Sequence, residues 1–240
     1  MSRVVCGLQP VREAIRAHRG SLERVLVEAS DSPQLDALVR FATDQGAKVE
    51  RVSRGQLDRL AHGARHQGAL VFAPELGIKS MEDIELGPGA LVVALDELQD
   101  PQNFGAIIRS SVAMGATCIL WPEHSSAPLT PATFRASAGA VEHATLCRVA
   151  GLPDALAKLK SEGLRIVGLD MSGDRPLHAV ALTGPVAIVV GAEGKGLRRP
   201  VKAACDELAR LPMNGPLASL NASVSVAMAL YETARQRALP

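Results

Sequence analysis

Aromatic side chains are scarce in this 240-residue chain, which has four Phe, one Trp and one Tyr. A core with so few rings has to be aliphatic and rich in alanine. We therefore do not expect base stacking on aromatic side chains to dominate any nucleic-acid binding. The apolar fraction of 47% is still large enough for a sizeable core.

An excess of one charge is also missing, because the formal net charge is only +1. Bulk charge therefore does not indicate a nucleic-acid-binding protein. Residues 1–76 hold 11 Lys and Arg against 9 Asp and Glu, whereas the remainder holds 15 against 16. The front of the chain thus carries a modest positive excess, too small to support a function by itself.

Cysteine is sparse, and its spacing excludes the common metal and redox motifs. The four cysteines form no CxxC pair, and no histidine lies at zinc-ligand spacing from one of them. We therefore expect free thiols, no metal and a reducing compartment, the cytoplasm. No apolar run approaches the roughly 20 residues needed to cross a bilayer. The first residues also lack the apolar region of a signal peptide.

Two alternating patterns of helices and strands divide the chain. Residues 1–76 read as a small α/β unit, and residues 77–88 are rich in Gly and Pro, as is typical of a linker. The alternation restarts and continues over residues 89–240. Because its strands alternate with helices, we predict an α/β fold with a parallel sheet covered on both faces. Ligands bind at the carboxyl ends of the strands in such sheets.

Three loops of unusual composition follow predicted strands in the larger domain. They are Asp100-Pro-Gln-Asn-Phe-Gly-Ala-Ile-Ile-Arg109, Val190-Gly-Ala-Glu-Gly-Lys-Gly196 and the stretch from Leu211 to Val226. Each combines glycine or proline with a few polar groups. Their shared position at one edge of the sheet predicts a ligand site.

The first loop opens a predicted helix, with Asn103 expected at its N-cap and Arg109 six residues further on. Arg109 is surrounded by apolar helix positions. It can lie along the rim of the sheet, or it can bind a phosphate.

The second loop, Gly191 to Gly196, lacks the spacing of both the dinucleotide fingerprint and the P-loop. Its three glycines suit either a tight strand-to-helix turn or close approach of the backbone to a ligand. A turn seldom needs a carboxylate between glycines, so Glu193 favours a functional role.

The third loop leads into a helix predicted from Ala218 to Arg237, where Ser219 and Asn221 are suited to capping free N–H groups. The glycosylation sequon Asn221-Ala-Ser223 is read as accidental.

Two further polar segments lie outside the three loops. The His66-Gln67-Gly68 segment is expected to be structural, and the loop His124–Ser126 is either solvated or contacts substrate.

Taken together and in this order, the three loops resemble the three motifs of SpoU-type RNA 2′-O-ribose methyltransferases, which belong to the SPOUT class. The resemblance covers residues 89–240. The front segment, with Gly7-Leu-x-x-Val11-x-Glu13-Ala14 and His66-Gln67-Gly68, resembles the ribosomal-protein L30e-like RNA-binding domain of many relatives. Within the class, the bacterial 23S ribosomal RNA guanosine 2′-O-methyltransferases are most similar.

The resemblance implies a deep trefoil knot in the C-terminal segment, a homodimer and S-adenosylmethionine as cofactor. It assigns the cofactor to Gly191, Leu211 and Leu220, mainly through their backbone. It also implies a catalytic set, comprising Asn103, Arg109, Glu193, Ser219 and Asn221.

Two roles are possible for Arg109 in the mechanism. The family proposal makes this arginine the base that deprotonates the ribose hydroxyl. A guanidinium essentially never loses its proton in proteins. The alternative is that Arg109 makes bidentate hydrogen bonds to a phosphate and thereby positions the hydroxyl. Relatives often carry an arginine in the loop where this chain has His124-Ser125-Ser126, which puts RNA contact there in question; Arg135 follows close behind.

The resemblance therefore implies a 2′-O-methyltransferase acting on a guanosine of 23S ribosomal RNA. A transfer-RNA 2′-O-methyltransferase of the same class is the alternative enzyme. A catalytically silent RNA-binding assembly factor is the alternative from another class, but the retained Arg109 and Asn221 disfavour it. A small-molecule-binding α/β protein explains each loop singly but not their joint order.

Overall fold

The structure, a computed structural model, describes residues 2–124, 126, 129–216 and 219–238. Its internal contacts form two units. The front unit comprises Met1–Gly77 together with Ala138–His143, and the second unit comprises Ile78–Ser137 and Ala144–Pro240. Within the described ranges, no helix is long and apolar enough to cross a membrane.

The front unit is a four-stranded mixed sheet with helices on both faces. Its strands lie in the order β1-β4-β2-β3, with β2 and β3 parallel and the other pairs antiparallel. The elements are β1 (Ser2–Cys6), α1 (Leu8–His18), β2 (Val25–Glu28), α2 (Pro33–Asp44), β3 (Val49–Val52), α3 (Arg54–Leu60) and β4 (Ala69–Pro74).

Alternation along β2 explains why both faces of this sheet are covered. Val25 and Val27 pack with α1 and α2, whereas Leu26 points to the other face and packs with Leu57 of α3. Successive strand residues point to opposite faces, so one apolar strand serves two cores. Strand β1 was not predicted, because a five-residue edge strand gives little periodicity.

The segment His66-Gln67-Gly68 is structural, as expected. His66 is 6% exposed; its Nδ1 accepts a bond from the Gly68 N–H at 3.0 Å, and its Nε2 lies 2.9 Å from Asp58 Oδ1. Gln67 has a positive φ of 51°, and its Oε1 accepts from the Leu8 N–H at 3.2 Å. The motif therefore fixes the turn before β4 and the first turn of α1.

The second unit is built on an eight-stranded sheet in the order β10-β12-β9-β11-β6-β7-β8-β5. Every pairing between its described strands is parallel, as predicted. The strands are β5 (Ile78–Lys79), β6 (Leu91–Asp96), β7 (Cys118–Pro122), β8 (Leu146–Val149), β9 (Arg165–Leu169), β10 (Arg175–Pro176), β11 (Val186–Gly191) and β12 (Glu207–Arg210).

Helices cover both faces of this sheet, since all six residues of β6 are buried. The helices are α4 (Pro101–Ala113), α5 (Pro131–Ala136), α6 (Leu152–Ser161), α7 (Arg199–Ala204) and α8 (Ala222–Ala238). Helices α6 and α7 share one core with Val92 and Ala94. Helix α8 packs against α4 and β11. The predicted start at Ala218 lies outside the described residues, but the prediction began this helix too early, because residues 219–221 are not helical and α8 begins at Ala222.

Gly105 of the first loop motif is required by helix packing. A Cβ at this position would lie 2.4 Å from the Thr133 carbonyl oxygen and 2.6 Å from Ala136 Cβ. Helix α4 therefore approaches α5 more closely than any side chain at residue 105 would allow.

Residues 78–83, predicted to lie in a linker, contribute β5 and a short 3-10 helix, Met81–Asp83.

Candidate active site

A cavity of about 380 Å³ lies in the second unit at the carboxyl ends of β9, β11 and β12. This is the sheet edge where the three loops were expected to meet. Its volume lies within the roughly 300–1,000 Å³ typical of small-molecule sites. The described lining residues are Leu169, Asp170, Met171, Val190, Gly191, Ala192, Glu193, Gly194, Lys195, Gly196, Lys202, Ala209, Leu211, Met213, Ser219, Leu220, Ala222 and Ser225.

One residue from each loop meets in a hydrogen-bonded cluster, which we call the amide–carboxylate cluster: Asn103, Glu193 and Asn221. Glu193 Oε1 accepts from Asn103 Nδ2 at 2.6 Å and from Asn221 Nδ2 at 2.8 Å. Asn221 Nδ2 also lies 2.9 Å from Asn103 Oδ1. Glu193 is exposed, and its Oε2 has no hydrogen-bond partner in the described part of the chain. The cluster therefore orients a carboxylate with one oxygen available.

Asn221 is held in place by the first turn of α8. Its Oδ1 accepts from the Ser223 N–H at 2.8 Å and the Val224 N–H at 3.3 Å, which is the N-cap arrangement expected for asparagine. Ser223 Oγ lies 2.6 Å from Asn221 Oδ1 and 3.2 Å from Asn103 Oδ1. Sequence reasoning missed Ser223; the available signal was its place two residues after a predicted cap.

The expectation that Asn103 caps α4 is wrong. Helix α4 begins two residues earlier, at Pro101, and Asp100 is the cap, accepting from the Gln102 N–H at 3.0 Å. Asn103 instead lies inside the first turn, 6% exposed. Pro101 occupies the first helical position, which proline favours, so Asp100 is the cap. The side chain of Asn103 is therefore not used in capping, and its amide donates to Glu193.

Gly191 is needed because the second loop folds back onto the end of β11. A Cβ on Gly191 would lie 2.1 Å from the Gly196 carbonyl carbon. The Gly196 N–H donates to the Ala192 carbonyl at 2.9 Å. The glycine thus allows the loop to close on itself, and the same backbone lines the cavity.

An ion pair between a buried aspartate and an exposed arginine, which the sequence did not reveal, anchors the far end of this loop. Asp96, at the end of β6, is 1% exposed. It accepts from the Arg198 backbone N–H at 2.8 Å and from Arg198 Nε at 2.7 Å. Hydrogen bonding to Asp96 raises the pKa of Arg198 further above its ordinary value. Asp96 and Arg198 therefore fix the loop that presents Glu193.

The remaining predicted site residues fall into two groups. Leu211, Ser219 and Leu220 line the cavity, as expected for a ligand site formed by the third loop. Arg109 is exposed, and its side chain forms no hydrogen bond or ion pair with any described residue. It lies six positions after Asn103, which places the two side chains roughly 120° apart around the axis of α4.

The loop after β7 is only partly described. His124 is exposed and Ser126 is half-buried, whereas Ser125 lies outside the described residues. Arg135, at the end of α5, is exposed.

Neither metal nor thiol chemistry finds support among the described residues. They hold no group of three or more His, Cys, Asp or Glu side chains placed to bind a metal ion. Burial raises the pKa of Cys118 to about 12 and the pKa values of Cys147 and Cys205 to about 11. These thiols stay protonated near neutral pH and are poor nucleophiles.

The second unit is therefore a parallel α/β fold, with a cavity and the amide–carboxylate cluster at the carboxyl edge of its sheet. Residues 90–231 match the SpoU rRNA Methylase family, and residues 4–76 match the family described as RNA 2′-O ribose methyltransferase substrate binding. The chain belongs to the SpoU methylase family, as the three loops predicted.

Individual relatives agree with this assignment. A Mycolicibacterium vanbaalenii protein described as an uncharacterized tRNA/rRNA methyltransferase is 39% identical over 98% of this chain and 77% of its own. The crystal structure of an RNA 2′-O ribose methyltransferase is 29% identical, with a TM-score of 0.80 over 99% of this chain and 90% of the other. An AdoMet-bound rRNA methyltransferase from Sinorhizobium meliloti is 25% identical, with a TM-score of 0.77 over 100% and 88%.

Proposed function

We propose that this protein methylates the 2′-hydroxyl of a ribose in RNA, with a guanosine of 23S ribosomal RNA as the target. Its cofactor is S-adenosylmethionine, which supplies an electrophilic sulfonium methyl group when bound. The single observation that carries the proposal is the amide–carboxylate cluster beside the cavity, because it joins all three loops in one hydrogen-bonded arrangement.

The residues of the cavity fit this cofactor. Leu211, which is 8% exposed, and Leu220 supply apolar surface, and the backbone around Gly191 supplies peptide groups without a side chain in the way. This combination of apolar lining with a few polar groups is what a nucleoside-containing ligand needs. We therefore assign cofactor binding to Gly191, Leu211 and Leu220.

We assign Glu193 to the ribose hydroxyl. Its Oε1 is fixed by the two asparagine amides, so Oε2 is left to accept a hydrogen bond from the 2′-hydroxyl, to orient its oxygen and to take up its proton when that oxygen is methylated. A carboxylate held by two donors loses little freedom when it binds substrate, which is the advantage of preorganisation. Asn103 and Asn221 act through Glu193, and Ser219 shapes the wall of the pocket beside it.

We assign Arg109 to an RNA phosphate. A guanidinium stays protonated, so it is a poor base, but its planar fork matches the oxygens of a phosphate. Arg109 is exposed and has no acidic partner among the described residues, so its charge is available to RNA. It would hold the strand while Glu193 orients the hydroxyl.

The choice of RNA rests on the front domain. We propose that residues 1–76 form an L30e-like domain that adds RNA affinity, that 77–88 link it to the methyltransferase domain, 89–240, and that the latter contains a trefoil knot. An added RNA-binding domain favours ribosomal over transfer RNA, and such a substrate places the reaction in the cytoplasm. Transfer RNA is the alternative substrate, because relatives carry both terms in their descriptions.

We also propose a homodimer that uses α8. Val224, Met228 and Tyr231 recur at helical spacing and are 46%, 43% and 62% exposed, so they form an apolar stripe opposite the buried face of the helix. Sedimentation should show a dimer for the wild-type protein and a monomer for Met228→Glu. A wild-type monomer at micromolar concentration would contradict the proposal.

The function is tested by mapping ribose methylation in cells that lack the protein and in cells that carry it or its Glu193→Gln variant. We expect one guanosine of 23S ribosomal RNA to lose its methyl group in the deletion and to regain it only with the wild type. A lost methyl group in transfer RNA would establish the alternative substrate. Unchanged methylation in both RNAs would contradict the methyltransferase function and favour the remaining alternative, a catalytically silent RNA-binding assembly factor.

A further inference from the structure

Asp170 is a carboxylate in the cavity wall that the proposed mechanism does not use. It follows β9, and its side chain is 9% exposed. Among the described lining residues, Asp170 and Glu193 are the two acids. Glu193 belongs to the amide–carboxylate cluster, whereas Asp170 has a separate set of partners.

Those partners hold both oxygens of Asp170. Oδ1 accepts from the Ser172 N–H at 3.0 Å and from Ser172 Oγ at 2.5 Å. Oδ2 lies 2.7 Å from Lys202 Nζ. An ionised carboxylate offers about four acceptor positions. Three are used, so Oδ2 can accept one more donor.

The space beside Oδ2 is kept open by a glycine. A Cβ on Gly196 would lie 3.2 Å from Asp170 Oδ2, and the residue has a φ of 64°, which side chains rarely adopt. A larger residue at 196 would therefore crowd the free acceptor position. Gly196 and Asp170 both line the cavity, so the open position faces ligand space.

The charge of Asp170 is secured within the protein. Burial favours its neutral form, but hydrogen bonds from Lys202 and Ser172 outweigh this and hold the pKa below its ordinary value. The carboxylate is therefore ionised at neutral pH, and it is fixed in one orientation before any ligand binds.

We propose that Asp170 binds a hydrogen-bond donor of S-adenosylmethionine, and that Ser172 and Lys202 are the positioning residues that hold its carboxylate. This inference rests on the proposed function through its cofactor. Two parts of the cofactor carry donors that a carboxylate recognises. The adenosine part has its ribose hydroxyls and adenine amino group, and the methionine part has its α-ammonium group.

Calorimetry on the full-length protein with two ligands separates these sources. S-adenosylhomocysteine contains both parts, whereas methylthioadenosine lacks the amino-acid end. Asp170→Asn should weaken S-adenosylhomocysteine binding about 10- to 100-fold, the range for losing a hydrogen bond to a charged group. An equal loss for methylthioadenosine assigns the donor to the adenosine part. An unchanged affinity for methylthioadenosine assigns it to the ammonium group.

A matched control is Asp206→Asn. Asp206 is also a paired carboxylate, 2.9 Å from Lys160 Nζ and 2.7 Å from the Ile166 N–H, but it does not line the cavity. This variant should lower the melting temperature without changing either affinity. If Asp170→Asn fails to fold, Ser172→Ala removes only one donor to Oδ1 and should weaken S-adenosylhomocysteine binding several-fold.

The possible failures are distinguishable. A folded Asp170→Asn that binds both ligands within twofold of the wild type would overturn the role of Asp170 alone. A wild-type protein that binds neither ligand would overturn the cofactor assignment of the proposed function.

Discussion

Two polar clusters, one in each unit, differ in what their side chains contact. In the front unit, His66 and Gln67 direct their polar atoms at the protein, to Gly68, Asp58 and Leu8. His66 is buried and has a partner for each ring nitrogen, and satisfied buried polar groups of this kind specify a local conformation.

In the second unit, the amide–carboxylate cluster leaves Glu193 exposed with one oxygen free, beside a cavity. Both clusters follow or precede a strand and include a glycine nearby, so composition alone does not separate them. What separates them is whether the polar atoms already have protein partners. The cluster that is incomplete is the one available for a ligand.

The largest expected effect tests the incomplete cluster. Glu193→Gln keeps the size of the side chain but replaces an acceptor by a donor and removes the charge. The single-turnover methylation rate should fall about 10²- to 10³-fold, with S-adenosylhomocysteine affinity nearly unchanged. Glu162→Gln, at an exposed carboxylate after α6, is the control and should keep the wild-type rate. A wild-type rate for Glu193→Gln would remove this cluster from the active site.

A smaller effect is expected at Arg109, where charge and geometry can be separated. Arg109→Ala should lose about 10- to 100-fold in rate, and Arg109→Lys should lose less because it keeps the charge without the bidentate fork. If Arg109 positions a phosphate, the residual rate of Arg109→Lys follows the pH dependence of the wild type. If Arg109 is the base, lysine has the lower intrinsic pKa, and a new lysine-like titration should appear.

The smallest effect on chemistry is expected at the complete cluster. His66→Ala leaves the Gly68 N–H and Asp58 without their partner and should reduce the stability of the front unit by about 1–3 kcal/mol. The methylation rate at saturating RNA should stay within about twofold of the wild type. Thermal denaturation and single-turnover kinetics measure the two quantities. A large loss of rate without loss of stability would give His66 a role in substrate contact and break the comparison between the clusters.

The sequence predicted most of the second unit because its strands are continuous aliphatic runs with helices between them. Strand β11, Val186–Gly191, is one such aliphatic run, and helix α6, Leu152–Ser161, buries one apolar face. Strands β1, β5 and β10 were missed. They are edge strands of two to five residues, and a period of two cannot be recognised over so short a length.

The site was predicted in part. Motif order identified Asn103, Glu193 and Asn221, and the structure brings these three together. It placed Arg109 elsewhere on α4, and it added Ser223, Asp96 and Arg198, which no motif had marked. Those three contribute to the candidate site through hydrogen bonds to other residues. Such contacts depend on which residues are close in space, and the spacing of residues along the sequence does not reveal them.

The sequence by itself determined the alternation of elements, the family and the loops of the candidate site, because periodicity and short motifs are local properties of the chain. Only the tertiary structure decided which polar atoms are already satisfied. Asp100 caps α4 whereas Asn103 binds Glu193, and Asp170 and Glu193 line the same cavity with different partners. Some of these partners are distant in the chain, such as Asn221, which lies 118 residues from Asn103, and only folding brings them within hydrogen-bond distance.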